Sequence, residues 1–211
     1  MPLDLSWSCE SGVQLLRWHI TESRDELAQS YNQIWGDLAN PETAASGSTH
    51  KLAARHLIAQ AFPQHQLVFS EHGKPLLQPQ SAAINHSHAG NYALLAHHPV
   101  KSVGVDIEQL RPQLSRIYKR FCNESEIEKL GPNPTLETLL LIWCAKEALY
   151  KAIGQKGTDF REHLHMTDWP IDPELAEGTL QARITLTAFE QTCTLRFQRW
   201  NEYAAVWVAL D

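Results

Sequence analysis

Apolar residues recur at helical spacing in some stretches of the chain and alternate with polar residues in others. The helical spacing predicts helices over 24–38, 50–62, 112–121 and 134–153, with a further short helix after Asn123. Period-two alternation predicts strands over 12–20, 66–70, 82–86, 91–97, 102–108, 179–187, 192–200 and 202–210. The composition of residues 40–49 predicts a loop between the first two helices.

The order of these elements predicts an α+β fold made of two similar α/β halves, each with a small antiparallel sheet and a long helix. We place the halves at 1–101 and 102–211, because His98-Pro99 separates two runs of predicted strand. Ser23 with Glu26 has the spacing of a capping box, which predicts the start of the first helix.

The segment SVGVDIE (102–108) places two acids on one face of an apolar strand. Asp106 and Glu108 alternate with valine and isoleucine, so both carboxylates leave the face opposite the apolar side chains. Two like charges so close together favour a cation between them, and oxygen ligands suit Mg²⁺. The alternative interpretation is a solvated edge strand that carries two surface acids.

The predicted helix LLLIWCAKEALYKAIG (139–154) brings a third acid. Every residue from Leu139 to Ala145 is apolar, which predicts burial on all sides of that part of the helix. Glu147 then leaves from an otherwise apolar side, one turn before Lys151. A site would use Glu147 as a third metal ligand and Lys151 against phosphate charge, whereas the alternative is an ordinary surface ion pair.

Composition excludes several classes of function. A net charge of −6 without a basic run argues against nucleic-acid binding. Four scattered cysteines, the absence of a leader-like N-terminus and the shortness of the longest apolar run predict a cytoplasmic protein with free thiols and no membrane span. The histidines do not form a zinc-ligand set with cysteine, and the P-loop, dinucleotide and hydrolase motifs are missing.

The first half offers groups that suit an anion. They are Lys51 and Arg55, four residues apart on one predicted helix, Lys74 beside the rigid Pro75, and Ser87 with His88 at the end of an apolar strand. The alternatives are a solvated helix face for the first two residues and a plain turn for Lys74 and Pro75.

Taken together, these segments resemble the Sfp-like 4′-phosphopantetheinyl transferases. The matching segments are GKP (73–75), N-x-S-H (85–88), GVDIE (104–108), RFCNESEI (120–127, with Cys122 in place of a phenylalanine) and WCAKEALYKAIG (143–154). Each short motif is weak alone, but the ordered set is specific. One departure is that residues 32–49 contain no lysine, whereas members of the family often have phosphate-binding lysines there.

The resemblance implies a pseudo-dimer with coenzyme A in the cleft between the halves. It implies Mg²⁺ ligands at Asp106, Glu108 and Glu147, and places Lys151 beside the pyrophosphate. It also implies that Lys74 and Pro75 contact the nucleotide, that Ser87 and His88 hold the 3′-phosphate end, and that Lys51 stands where many members have a phosphate-binding arginine. Arg55 is a candidate to compensate for the missing lysines.

The reaction implied is transfer of 4′-phosphopantetheine from coenzyme A to a serine of an acyl or peptidyl carrier protein. Glu147 is the expected base, acting directly or through a metal-bound water, and Lys151 is expected to stabilise the leaving phosphate or to protonate it. A monomer is expected, because a pseudo-dimer already contains both sides of its cleft.

Two rival functions use the same residues. A Mg²⁺-dependent nuclease or phosphohydrolase would turn over a phosphodiester without a carrier protein. A non-catalytic coenzyme A-binding module would bind the nucleotide without changing the mass of any carrier.

Overall fold

A computed structural model shows a mixed α/β protein built from small antiparallel sheets and helices. The structure describes residues 3–8 (backbone only), 12–36, 47–71, 73–172, 174–187 and 189–211. The chain divides into two compact units, one that extends to Val103 and includes Asp211, and one from Gly104 to Leu210. Each unit is described by itself below.

The first unit contains two helices and a four-stranded sheet. Its elements are β1 (Leu3–Ser8), β2 (Gln14–His19), α1 (Arg24–Trp35), α2 (Thr49–Ala61), β3 (Gln66–Phe69), β4 (Pro75–Gln78), β5 (Ala83–Ala89) and β6 (Tyr92–His98). The sheet has the antiparallel order β1-β2-β6-β5, and β3 and β4 form a separate hairpin. Helix α2 packs on β5 and β6 and against α1.

Local sequence signals set the ends of both helices. The predicted capping box at the start of α1 is confirmed, because the Ser23 hydroxyl accepts from the Glu26 N–H and the Glu26 carboxylate accepts from the Ser23 N–H. The helix ends at Trp35, since Gly36 has a φ of 48° that glycine adopts most easily. The expected continuation to residue 38 and the expected loop at 40–46 lie outside the described residues.

The second unit places one long helix against a five-stranded sheet. Its elements are β7 (Ser102–Gln109, which begins in the first unit), α3 (Leu114–Ile117) with a 3₁₀ turn (Tyr118–Arg120), α4 (Glu124–Leu130), α5 (Leu136–Ile153), β8 (Leu164–Asp168), β9 (Glu177–Leu186), β10 (Phe189–Trp200) and β11 (Tyr203–Leu210). The sheet order is β7-β11-β10-β9-β8, and β8 to β11 form an antiparallel meander. Helix α5 packs on β11 and is almost entirely buried.

The predicted architecture is confirmed at the level of mixed α/β with small antiparallel sheets. Three strands were missed: β1, β4 and β8. Strand β4 is only four residues long and begins at a proline, so its pattern resembles a turn more than a strand. The helix expected over 112–121 is a single turn, Leu114–Ile117, that continues as a 3₁₀ turn.

Two further expectations concern membranes and thiols. No helix in the described ranges is both long enough and apolar enough to cross a membrane. Cys122, Cys144 and Cys193 are free thiols, as expected, and Cys9 lies outside the described residues.

His56 is the unusual residue of the first core. Its side chain on α2 is fully buried, its ring lies edge-on to Trp18 with 4.7 Å between centroids, and neither ring nitrogen has a hydrogen-bond partner among the described residues. Burial lowers the pKa of His56 below its usual value, although Glu22 partly opposes the shift.

We expect His56 to make the first unit less stable in acid. The unfolded chain takes up a proton near pH 6.5 while the folded chain resists it, so the free energy of unfolding falls by up to about 1.4 kcal/mol per pH unit below that point. Replacing His56 with leucine should therefore reduce the loss of melting temperature between about pH 7.5 and about pH 5.5, measured by calorimetry. An equal loss in both proteins would contradict this account.

Candidate active site

Helix α5 and strand β7 approach so closely at Gly104 that only a glycine fits. A Cβ on Gly104 would lie 2.0 Å from the Ala148 carbonyl oxygen and 2.8 Å from the Ala152 nitrogen. Residues 104, 106 and 108 share one face of the strand, so this contact turns the acidic face toward the helix. The site depends on that packing.

The two strand acids are therefore not surface residues. Asp106 is only 3% exposed, and the Glu108 side chain is 20% exposed. The strand does lie at the edge of its sheet, but α5 covers the face that carries the carboxylates. The alternative of a solvated edge strand is wrong for this reason.

Helix α5 supplies partners for both strand acids. The Lys151 ammonium lies 2.6 Å from the Asp106 Oδ1, and the Trp143 Nε1 donates to the Glu108 Oε1 over 3.0 Å. Arg111, just beyond the end of β7, also donates to the Glu108 Oε2 over 2.8 Å. Lys151 is thus paired with a buried strand acid, so the alternative of an ordinary surface ion pair does not describe this lysine.

The electrostatics reveal three acids that disfavour one another's charge. Burial and then the charge of Asp106 raise the pKa of Glu147 to about 7, against the opposing effect of Lys151. Burial and Asp106 also raise the pKa of Glu108. Although burial disfavours its ammonium form, Lys151 has a raised pKa because Asp106 and Glu147 stabilise the charge.

This donor set fits a hard divalent cation. The charge of Asp106 disfavours ionisation of Glu108 and Glu147, and an added cation would relieve this repulsion. In the described part of the chain, no three His, Cys, Asp or Glu side chains are arranged as they stand to hold a metal ion. Asp106 accepts instead from Lys151, and Glu108 accepts from Trp143 and Arg111.

A cavity of about 350 Å³ opens beside Glu108. Its walls are mostly apolar, and α5 contributes Leu140 and Trp143 while α3 contributes Leu114 and Ile117. Burial also raises the pKa of the nearby Cys144 thiol well above its usual value, so this cysteine is not a reactive thiolate.

In the first unit, the expected anion-binding residues lie near the start of α2. A Cβ on Gly47 would be 3.1 Å from the Lys51 Cβ and 3.8 Å from a terminal nitrogen of Arg55, so both cations border the same glycine. Lys51 is exposed and Arg55 is half-buried. This arrangement gives the first two turns of α2 two positive charges on one side.

His50 links the same helix turn to His88. Its Nε2 lies 2.6 Å from the Gly90 carbonyl oxygen, and its ring stacks on that of His88 with 5.2 Å between centroids. Ser87 lies next to His88 on β5 and is buried. The sequence interpretation missed His50, although a histidine just before Lys51 in the first turn of a helix was a visible signal.

The expected turn at 72–75 is present in its described part. The Lys74 N–H donates to the Ser70 Oγ over 3.1 Å, and Pro75 begins β4 opposite Phe69. The Lys74 ammonium donates to Ser102 at the start of β7 over 3.0 Å, and burial lowers its pKa. His72 lies outside the described residues.

The structure thus groups the candidates in two sets. The set in the second unit comprises Asp106, Glu108, Glu147 and Lys151, to which the structure adds Trp143 and Arg111. In the first unit, Lys51 and Arg55 border Gly47 and His88 stacks on His50, while Lys74 contacts Ser70 and Ser102. Arg111 was missed because it lies in the loop after β7, where no sequence motif identifies it.

Comparison with known proteins identifies the class. The 4′-phosphopantetheinyl transferase superfamily model matches residues 102–208, which contain the whole acidic set. The 4′-phosphopantetheinyl transferase HetI of Nostoc sp. is 30% identical over 162 residues, which cover 72% of this chain and 68% of that protein. The chain belongs to the 4′-phosphopantetheinyl transferase superfamily and is a transferase.

Two further relatives agree. A putative 4′-phosphopantetheinyl transferase of Synechocystis sp. is 28% identical over 169 residues, covering 74% of this chain and 66% of that protein. The 4′-phosphopantetheinyl transferase psf-1 of Bacillus pumilus is 32% identical over 114 residues, covering 50% and 48%. The suspected Sfp-like family is thereby confirmed.

We expect Gly104→Ala to unfold or strongly destabilise the second unit. The added methyl group would meet main-chain atoms of α5 that cannot turn aside, so the loss should be about 3 kcal/mol or more in urea denaturation. Gly178→Ala is the matched control, because its methyl group would meet only side-chain atoms of Phe197 and Leu175 rather than the main chain of a helix. Equal losses in both variants would show that the close approach at Gly104 is not special.

Proposed function

We propose that this chain transfers 4′-phosphopantetheine from coenzyme A to a serine hydroxyl of an acyl or peptidyl carrier protein, in a Mg²⁺-dependent reaction. The single observation that supports this most strongly is the meeting of Asp106, Glu108, Glu147 and Lys151 where α5 covers β7, inside the region that matches the family model. The serine oxygen forms a bond to the phosphorus next to pantetheine. The bond to the bridging oxygen breaks, and adenosine 3′,5′-bisphosphate leaves.

Each member of the acidic set has a role in this proposal. The Mg²⁺ ligands would be Asp106, Glu108 and Glu147, and bound Mg²⁺ would neutralise charge on the pyrophosphate. Lys151 is a flexible point charge on the same helix and stabilises the leaving phosphate. Glu147 also accepts the serine proton, because its carboxylate has no hydrogen bond in the described structure that would have to break first.

The first unit holds the nucleotide in this proposal. Lys51 and Arg55 contribute charge at the start of α2, and Ser87 and His88 receive the 3′-phosphate end. Lys74 and Pro75 contact the nucleotide from the β3–β4 turn. We also propose the finer arrangement expected from the resemblance, a monomeric pseudo-dimer with coenzyme A in the cleft between its halves.

The apolar cavity beside Glu108 suits the uncharged part of the substrate. Pantetheine carries amides and short alkyl groups but no charge, and Leu114, Ile117 and Leu140 offer matching walls. The cavity therefore offers room for this arm directly next to one proposed metal ligand, Glu108.

The proposal predicts that loss of one acid stops transfer without unfolding the protein. Metal-assisted charge stabilisation is worth several kcal/mol, so Asp106→Asn and Glu147→Gln should each slow transfer by about 100-fold or more. The measurement is the gain of one phosphopantetheinyl mass by an apo carrier protein incubated with coenzyme A and Mg²⁺. Asp168→Asn, which removes an exposed acid of the same unit, should react at the rate of the unmodified protein.

The same assay separates the rival functions. Release of adenosine 3′,5′-bisphosphate from coenzyme A without a carrier protein would indicate a phosphohydrolase. Tight binding of coenzyme A with no mass gain on any carrier of a broad panel would indicate a binding module, and wild-type rates in both acid variants would contradict the site.

A further inference from the structure

Lys146 lies directly before Glu147 on α5, yet it takes no part in the reaction proposed above. Its side chain is fully buried, and its ammonium is surrounded by four oxygen atoms: the Glu126 Oε2 at 2.7 Å and the carbonyl oxygens of Phe121, Phe160 and Leu164, each at 2.8 Å. An ammonium has three N–H donors, so this cage satisfies it fully. We call this arrangement the Lys146 cage.

Glu126 connects the Lys146 cage to two other elements. It is fully buried and closes the capping box of α4, since its Oε2 also accepts from the Asn123 N–H over 2.8 Å. Its Oε1 accepts from the Met166 N–H on β8 over 2.6 Å. The pair therefore holds α4, α5 and β8 at one point.

The residues that hold the ammonium also contact Trp143. The ring centroids of Phe121 and Phe160 lie 5.0 Å and 5.6 Å from that of Trp143, one helical turn before Lys146. Trp143 in turn donates to the Glu108 Oε1 over 3.0 Å. A continuous chain of contacts thus runs from the Lys146 cage through two phenylalanine rings to a proposed metal ligand.

Stability alone does not explain such a pair. Buried ion pairs cost desolvation, and apolar side chains of similar volume often replace them without loss of stability. A role in orienting neighbouring side chains would explain the Lys146 cage. The Lys146 ammonium holds the carbonyl groups of Phe121 and Phe160, which fixes the backbone of both residues and therefore the position of their rings. Mutation of a residue that contacts a metal ligand, without binding the metal itself, often changes metal affinity or activity 10- to 100-fold.

We propose that Lys146, together with Glu126, is a positioning residue that sets the orientation of Trp143 and through it that of the Glu108 carboxylate. The effect on transfer rests on the proposed function, whereas the effect on Trp143 does not. The position of Trp143 can therefore be tested separately from activity.

The test replaces Lys146 with methionine and labels the protein with 5-fluorotryptophan. Fluorine NMR then reports each tryptophan, and Trp143→Phe assigns the resonance of Trp143. We expect Lys146→Met to move the Trp143 resonance while those of Trp18 and Trp35 in the first unit stay in place. In the carrier assay, kcat should fall by about 10-fold or more with little change in the KM for coenzyme A.

A matched control removes a lysine of the same unit that is exposed. Lys129 pairs with Asp168 and lies 4.4 Å above the Trp169 ring. Lys129→Met should move the Trp169 resonance, leave that of Trp143 unchanged and preserve kcat.

Phe160→Leu tests the link without touching the ion pair. This change keeps the carbonyl group that accepts from Lys146 and removes only the ring that packs on Trp143. It should move the Trp143 resonance and lower kcat, and it decides the question alone if Lys146→Met does not fold.

The possible outcomes are distinct. An unmoved Trp143 resonance, or an unchanged kcat, in folded Lys146→Met and in Phe160→Leu overturns the positioning role. Failure of the unmodified protein to load any apo carrier would instead overturn the proposed function, and the Trp143 resonance would still report whether the cage orients that ring.

Discussion

The close packing of helix α5 on strand β7 is the constraint on which the candidate site depends. At Gly104 the helix backbone comes so near that no side chain fits, and this contact places the acidic face of the strand under the helix. Charged groups in such a location need partners, which explains why Asp106 pairs with Lys151 and Glu108 accepts from Trp143. Backbone proximity thus creates both the burial and the charge clustering that the chemistry requires.

The extent of burial distinguishes the structural lysine of α5 from the lysine that is suited to the reaction. Lys146 is fully buried and its donors are used up by fixed oxygen atoms, so it is not available to a substrate. Lys151 is partly exposed and pairs with the Asp106 carboxylate, so a phosphate can reach its ammonium. Lys146, which stabilises the fold, and Lys151, which is suited to the reaction, thus lie five residues apart on one helix.

Local patterns in the sequence predicted the features that depend on neighbouring residues. The capping box at Ser23, the short helix after Asn123, strand β7 and the long buried helix were all readable because each signal lies within a few residues. Strand β8 was not readable, because it is stabilised by contacts distant in sequence, such as the Met166 N–H donating to Glu126. Its own short pattern did not indicate a strand.

The site shows the same division between local and distant information. Alternation along β7 identified Asp106 and Glu108 as a pair, but it also implied that they face away from the core, and burial under α5 is a tertiary property. Arg111 and Trp143 became visible as partners of Glu108 only once the strand and helix were in contact. Sequence spacing predicts which residues share a face, whereas packing decides which element covers that face. Here the packing of α5 on β7 raises the pKa of Glu147 and makes the three acids suited to one cation.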